Sequence, residues 1–157
     1  MQLDAFDVRI LSTLQRRGDI SHVELAEVVC LSASQCARRL DRLRRQGYIE
    51  RVVALLSAER LGFGVMAHTL ISLRTHDEAH NAAFHRFVRE APEVVECFAQ
   101  TGDADLIMKV VARDLGHLSR FFDTLIAATG GLAALRSGIV LKSIKRTTEL
   151  PLGGPAP

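Results

Sequence analysis

The sequence is poor in the features that mark disulfide-stapled, membrane-spanning and secreted chains. Its three cysteines, Cys30, Cys36 and Cys97, are odd in number and show no CxxC spacing, which argues against a disulfide framework and a tetrahedral zinc site. No apolar run approaches the roughly 18 residues needed to cross a membrane. The N-terminus carries Asp4 where a signal peptide would be basic and then apolar. We therefore expect a cytoplasmic protein with free thiols and no membrane partner.

Several motifs of common enzyme classes are missing as well. The chain has no phosphate loop ending in GK[ST], no GxSxG elbow and no GxGxxG turn. His76 and His80 stand four residues apart, but Asp77 occupies the place that Glu takes in the helical zinc pair of metalloproteases. We therefore predict no catalytic residue, no metal site and no cofactor.

Positive charge is concentrated in one short segment of the first sixty residues. All three lysines of the chain lie beyond residue 100, so the cations of this part are arginines. Six arginines lie between residues 38 and 51: Arg38, Arg39, Arg42, Arg44, Arg45 and Arg51. The same segment has only two acids, Asp41 and Glu50, so its local surplus is four positive charges. Guanidinium groups form forked hydrogen bonds with phosphates and guanine edges. The segment is a candidate phosphate-binding stripe.

Three helix starts follow one another in this part of the chain. Each pairs an oxygen-bearing cap with an acceptor three residues later, the spacing of a capping box: Asp4 with Asp7, Ser21 with Glu24, and Ser32 with Gln35. The helices should share a core through three apolar faces: Phe6, Ile10, Leu11 and Leu14; Leu25, Ala26 and Val29; Cys36, Leu40 and Leu43. Because the second and third helices are separated by only about three residues, the pattern predicts a helix-turn-helix.

The third helix has the properties of a recognition helix. We predict that it contacts DNA through Ser32, Ser34, Gln35, Arg38, Arg39, Arg42 and Arg45. The N-terminal residues should face base edges, with Arg42 and Arg45 nearer the phosphates. An arginine-rich face can be merely solvated, but such a face normally mixes both signs of charge. Beyond this helix, residues 48–55 suit a short hairpin, or wing.

A second domain is expected after Gly62 and Gly64, where the hydrophobic period changes. Its predicted order is βαββαβ, with strands at about 65–74, 94–100, 105–112 and 135–145, and helices capped near Asp77 and Asp114. The fold class is therefore α+β: a winged helix-turn-helix, with three helices plus a short hairpin, followed by a ferredoxin-like sandwich. We expect a helix-turn-helix domain at 1–56, a linker at 57–64, an effector-binding and oligomerisation domain at 65–150, and a flexible tail at 151–157.

One face of the predicted sheet should lack a covering layer, because both helices belong on the other face. A sheet rich in Val, Ile and Met would then expose a large apolar area. A second subunit is the simplest cover, and its two-fold symmetry would let two helix-turn-helix units read two half-sites. We therefore expect a homodimer.

Residues in both halves resemble the Lrp/AsnC, or feast/famine, transcriptional regulators. The first half carries LDxxDxxIL from Leu3 and LSxSxCxRRLxRLxxxGYI from Leu31; the second carries TGDAD from Thr101 and IVLKxIK from Ile139. The resemblance covers about residues 2–152, with both halves in the right order. It implies a nucleoid-associated regulator that binds double-stranded DNA, forms dimers that often assemble into octamers, and holds a small effector, usually an amino acid, where dimers meet.

Matched by position, the resemblance implies effector contacts at Thr101, Gly102, Asp103, Asp105, Arg136, Ser137 and Gly138. Backbone N–H groups of the turn could bind a carboxylate, and either aspartate could take an ammonium group. Asp and Gly are also the residues that a hairpin bend requires. The alternative from another class is a ferredoxin-like small-molecule-binding or catalytic module whose basic helical domain serves only for assembly.

Overall fold

The structure is a computed structural model that describes residues 3–74 and 78–152 of the 157-residue chain, with side chains of 78–80 left undescribed. Its contacts divide the chain into two compact units. One is Met1–Leu55 together with Lys145–Pro157, and the other is Leu56–Ile144. The C-terminal segment therefore belongs with the N-terminal helices, whereas the sequence pattern suggested a boundary at residue 150.

The first unit is built on three helices, α1 (Ala5–Leu14), α2 (His22–Val29) and α3 (Ala33–Arg45). All three predicted capping boxes are formed, with each cap side chain accepting a backbone N–H and each partner returning a bond to the cap backbone. Each box satisfies two orphan donors of its helix. The three predicted helix starts are confirmed.

The predicted apolar faces pack into one core. Its buried residues include Ile10 and Leu11 of α1, Leu25, Ala26 and Val29 of α2, and Cys36, Leu40 and Leu43 of α3. Phe6 is an exception, because its side chain is 37% exposed. Its ring instead lies 5.4 Å from the guanidinium carbon of Arg39, in a cation–π contact.

The link between α2 and α3 is a tight turn of three residues, as a helix-turn-helix requires. Cys30 ends α2 in the left-handed conformation, with φ 58° and ψ 48°. Most L residues avoid this conformation because Cβ then approaches the following carbonyl oxygen. A non-glycine residue here indicates that packing of the two helices outweighs local strain.

The hairpin expected at residues 48–55 is not formed, and residues 49–57 adopt neither helix nor strand. The prediction of a hairpin at this place was wrong. A two-residue hairpin turn needs residues such as Gly, Asn or Asp that tolerate positive φ. Residues 48–57 contain none of them, so the sequence offers no tight two-residue turn there.

The second unit has the predicted βαββαβ order: β1 (Val65–Ser72), α4 (Glu78–Glu90), β2 (Val94–Ala99), β3 (Leu106–Ala112), α5 (Leu115–Ala128) and β4 (Ala134–Ile139). The sheet is antiparallel, in the order β2-β3-β1-β4. The α+β class and ferredoxin-like topology are confirmed. β4 ends well before residue 145, and the predicted cap of α4 at Asp77 lies outside the described residues.

Residues alternate between the two faces of this sheet. One face packs against α4 and α5, with Ile71, Met108 and Val110 meeting Phe84 and Leu125 in the core. The register places Leu70, Ile107 and Phe98 on the opposite face. Leu70 and Phe98 are exposed there, Phe98 by 59% of its surface.

Candidate functional site

The exposed face of α3 is fixed by the residues that the helix buries. Because Cys36, Leu40 and Leu43 pack inward, the outward row is Ser34, Arg38, Asp41 and Arg45, all of which are exposed. Arg45 pairs with Asp41 at 2.6 Å, an exposed contact between residues one turn apart. Within the described part of the chain, no acid pairs with Arg38. Its guanidinium is therefore available to a partner outside the unit.

Two other arginines of α3 are engaged within the unit. Arg39 Nη1 lies 2.6 Å from Asp4 Oδ2 and 2.9 Å from Asp7 Oδ1. Arg42 Nη2 lies 2.6 Å from the same oxygen of Asp7. Asp7 is only 2% exposed, so both arginines compensate a buried carboxylate. These contacts bind α1 to α3, and the sequence pattern, which grouped Arg39 and Arg42 with the outward face, missed them.

The side chains of Ser32 and Gln35 form hydrogen bonds with each other's backbone at the start of α3. Gln35 N–H donates to Ser32 Oγ at 3.3 Å, and Ser32 N–H donates to Gln35 Oε1 at 3.2 Å. Ser34 Oγ lies 3.2 Å from Ser32 Oγ. The backbone of the first turn is thus held in place, and Ser34 remains the small exposed polar residue one turn before Arg38.

The contacts of Asp4 shift its pKa. The backbone N–H of Asp7 lowers the pKa of the Asp4 carboxyl below its ordinary 3.8, and the hydrogen bond from Arg39 lowers it further. Asp4 is therefore charged at neutral pH, and it helps to hold Arg39 against α1. The sequence assigns both acids only to the capping box of α1, and no local pattern points to their arginine partners on α3, more than thirty residues later.

The turn between β2 and β3 carries the first group of predicted effector residues. Gly102 has φ 121°, a conformation that L side chains rarely adopt, and no atom would contact an added Cβ there. Thr101 and Asp103 are exposed. Asp105 has a structural contact, because its Oδ2 accepts the Leu73 N–H at 2.8 Å. This bond anchors the turn to the end of β1.

The second group of predicted effector residues lies on β4, and β1 lies between β4 and the strand that follows the 101–105 turn. Arg136 pairs in register with Leu70, Ser137 with Thr69, and Gly138 with His68. The Ser137 and Thr69 hydroxyls lie 3.0 Å apart, so Ser137 faces the helix-covered side of the sheet. Arg136 is exposed and lies at the same end of the sheet as the 101–105 turn. The structure thus brings the turn and Arg136 to one sheet end, with β1 between them.

A groove of about 360 Å³ lies elsewhere on this unit, between α4 and α5. It is lined by Phe87, Glu90, Ala91, Glu93, His117, Arg120, Phe121 and Thr124, and it includes none of the predicted effector residues. His117 Nδ1 accepts the Arg113 N–H, which leaves Nε2 to contact Glu93 at 3.1 Å. None of the predicted effector residues lines this groove: Thr101, Gly102, Asp103 and Arg136 are exposed at the sheet end, whereas Ser137 faces the helix-covered side.

Among residues 3–74 and 78–152, no helix is long and apolar enough to cross a membrane. The same residues contain no cluster of three or more His, Cys, Asp or Glu side chains that could hold a metal ion. Of the histidine pair considered above, His76 and the side chain of His80 lie outside the described part.

A helix-turn-helix followed by a ferredoxin-like domain defines a class of two-part DNA-binding regulators, and comparison with known families makes it specific. Residues 66–150 match the Lrp/AsnC ligand-binding domain, and residues 3–50 match a winged helix-turn-helix DNA-binding domain. The chain belongs to the Lrp/AsnC family of transcriptional regulators. It therefore comprises a DNA-binding part and an effector-binding part, and its family acts by binding DNA rather than by catalysis.

Relatives match over nearly their whole length. The chain is 34% identical to the Bkd operon transcriptional regulator of Pseudomonas aeruginosa, over 96% of this chain and 99% of that protein. It is also 34% identical to the DNA-binding transcriptional activator DecR of Escherichia coli, with the same coverage. Among solved structures, a Neisseria meningitidis transcriptional regulator in complex with L-Met superposes with a TM-score of 0.92 and 38% identity, covering 97% of this chain and 98% of that chain.

Proposed function

We propose that the chain recognises specific DNA sequences through the outward row of α3, with Arg38 as the principal contact and Ser34 beside it. The observation that carries this proposal is the separation of roles among the arginines. Arg39 and Arg42 are held by α1 acids, whereas Arg38 lies exposed at the middle of the row. A recognition helix inserts its N-terminal half into the major groove, where a guanidinium binds a guanine edge or a phosphate.

The test is the affinity of Arg38→Ala for duplex DNA by fluorescence anisotropy. We expect a loss of roughly 1–3 kcal/mol, about 5- to 150-fold in Kd, if Arg38 contacts a base. Arg86→Ala is the matched control, because Arg86 is an exposed helical arginine of the second unit and its loss changes the net charge equally. If both variants bind DNA as tightly as the parent protein, Arg38 is not the contact.

The effector-binding part is proposed to take an amino acid at the sheet end. The 101–105 turn offers backbone N–H groups to a carboxylate, and exposed Asp103 offers a partner for an ammonium group. Arg136 is a second candidate for the carboxylate. The structure of the Neisseria relative is a complex with L-Met, so L-methionine is the first amino acid to test for binding to this chain.

The effector test is a thermal-shift panel of amino acids beginning with L-methionine. A ligand present at 100 times its Kd should stabilise the protein by about 2.7 kcal/mol. Asp103→Asn should reduce the shift. Asp105→Asn is a poorer test because Asp105 holds the turn through the Leu73 N–H. If no amino acid of the panel raises the melting temperature of the parent protein or of its DNA complex, control by an amino acid is contradicted.

Assembly is proposed to occur through the open sheet face. Leu70 and Phe98 expose apolar surface there, and a second copy would bury it while supplying the two-fold axis that paired half-sites require. The 101–105 turn is exposed, so a neighbouring subunit that packed beside it would also enclose an effector bound there.

We propose a homodimer that assembles into an octamer and acts in the cytoplasm at the nucleoid. Sedimentation should give dimers or larger species, and Phe98→Asp should shift them toward monomer.

A further inference from the structure

The C-terminal segment 145–152 is attached to the end of α1, although it follows β4 in the chain. The Gln15 side chain forms two hydrogen bonds with the backbone of Leu150. Its Nε2 donates to Leu150 O at 3.0 Å, and Leu150 N–H donates to its Oε1 at 2.9 Å. The amide thereby satisfies both backbone groups of one residue, as a neighbouring strand would.

Two more contacts hold the same segment. Arg16 Nε donates to Glu149 Oε2 at 2.9 Å, and Leu152 packs against the core formed by the three helices. The Glu149 N–H donates to Thr147 Oγ1 at 3.0 Å, which shapes the segment just before the ion pair. An exposed ion pair contributes little alone. A paired amide, an ion pair and an apolar anchor within four residues together define a docked position.

The other end of α1 contacts the recognition helix. Asp4 and Asp7, at the start of α1, hold Arg39 and Arg42 of α3, while Gln15 and Arg16 follow its last turn. One short helix therefore contacts the C-terminal segment at one end and α3 at the other. A displacement of the segment would act on α3 through a single rigid element.

The segment is also joined to the strand that carries the proposed effector residues. The Val140 N–H donates to Met66 O at 2.8 Å, so pairing with β1 continues one residue past β4. Only residues 141–144 then separate the paired strand from the docked segment. From Val140 to Lys145 the chain makes five residue steps, which span at most about 18 Å when fully extended, so a short linker tethers the segment to the paired strand.

We propose that residues 145–152 form a C-terminal strap, a positioning element that couples β4 to α1 and through α1 to the recognition helix. Gln15 and Glu149 are its positioning residues. The part of this inference that concerns amino-acid response rests on the proposed function of the sheet end. The coupling itself requires only the contacts of α1, the strap and β4.

Docking of the strap is tested by hydrogen–deuterium exchange on the full-length protein. Gln15→Ala should speed exchange in peptides covering 145–152 by about fivefold, the equivalent of roughly 1 kcal/mol of lost hydrogen bonding. Ser12→Ala is the control on the same helix, since Ser12 has no side-chain hydrogen bond among the described contacts. Unchanged exchange in 145–152 would overturn the docking.

Coupling is tested without an effector by inserting Gly-Ser-Gly-Ser between Ser143 and Ile144. Ser137→Ala removes the Thr69 contact and loosens β4, which should speed exchange in α1 of the parent by about threefold. The same substitution in the inserted protein should leave α1 exchange unchanged. An equal effect in both proteins, or none in either, would overturn the coupling.

A third experiment measures the DNA affinity of the parent and of the inserted protein, with and without L-methionine. The other amino acids of the panel are then tested in the same way. The inserted protein should bind DNA within about twofold of the parent but lose the parent's response to the amino acid. A full response in the inserted protein would contradict the strap. A parent that responds to no amino acid would instead contradict the proposed effector function, and the exchange experiments would still decide the strap.

Discussion

Arg42 of the recognition helix donates to the buried carboxylate of Asp7 on α1, at 2.6 Å. The same oxygen of Asp7 also accepts from Arg39 at 2.9 Å. One buried carboxylate therefore bridges two arginines of α3 to α1, and the arginine count of α3 overstates the charge available to DNA. This relationship separates the arginines that build the unit from those that can bind DNA.

Replacing Asp7 by Ala should destabilise the first unit by about 2–4 kcal/mol, because Arg42 loses its acceptor, Arg39 keeps only Asp4, and the Asp4 N–H loses its capping partner. The single tyrosine of the chain, Tyr48, lies in this unit, so its fluorescence reports the unfolding of this unit in urea. Asp41→Ala removes an exposed pair with Arg45 and should change stability by less than about 0.5 kcal/mol. Equal effects of the two substitutions would contradict the role of Asp7.

The first unit should lose stability on acidification, partly through Asp4. The folded-state pKa of Asp4 lies below its ordinary 3.8, so its contribution is complete well above that pH and is lost as the pH falls through the lowered value. Asp4→Asn should therefore show a shallower fall in melting temperature than the parent below about pH 4. Parallel curves for the two proteins would show that Asp4 contributes nothing.

Cys30 offers a substitution that should stabilise the protein. Its left-handed backbone is strained for an L residue but not for glycine. Cys30→Gly should therefore raise the free energy of unfolding of the first unit by about 0.5–1 kcal/mol, after the larger unfolded-state entropy of glycine is subtracted. Cys30→Ala keeps a Cβ and should show little gain. A loss of stability in the glycine variant would mean that the thiol makes a necessary contact.

Local features of this fold were predictable from the sequence, and contacts between distant segments were not. The capping boxes at Asp4, Ser21 and Ser32 depend on residues three apart, so spacing alone revealed them. The βαββαβ order followed in the same way from changes of hydrophobic period. The hairpin prediction failed because it relied on the motif and overlooked the absence of a turn residue.

The candidate site was predictable only in part, for a related reason. Helical periodicity identifies the polar face of α3 but does not reveal which neighbours approach its edges. Arg39 and Arg42 lie at the edge beside α1, where acids more than thirty residues earlier in the chain bind them. The strap contact between Gln15 and Leu150 joins residues 135 positions apart, and no local pattern announces it.

The most direct test of the account is selection of genomic fragments by the parent protein and by Arg38→Ala, followed by footprinting of the selected fragments. The parent should protect paired half-sites separated by about one helical turn, or a multiple of it, and Arg38→Ala should lose this protection while keeping its fold and assembly. Enrichment of no sequence by the parent, or of the same sequences equally by Arg38→Ala, would contradict it.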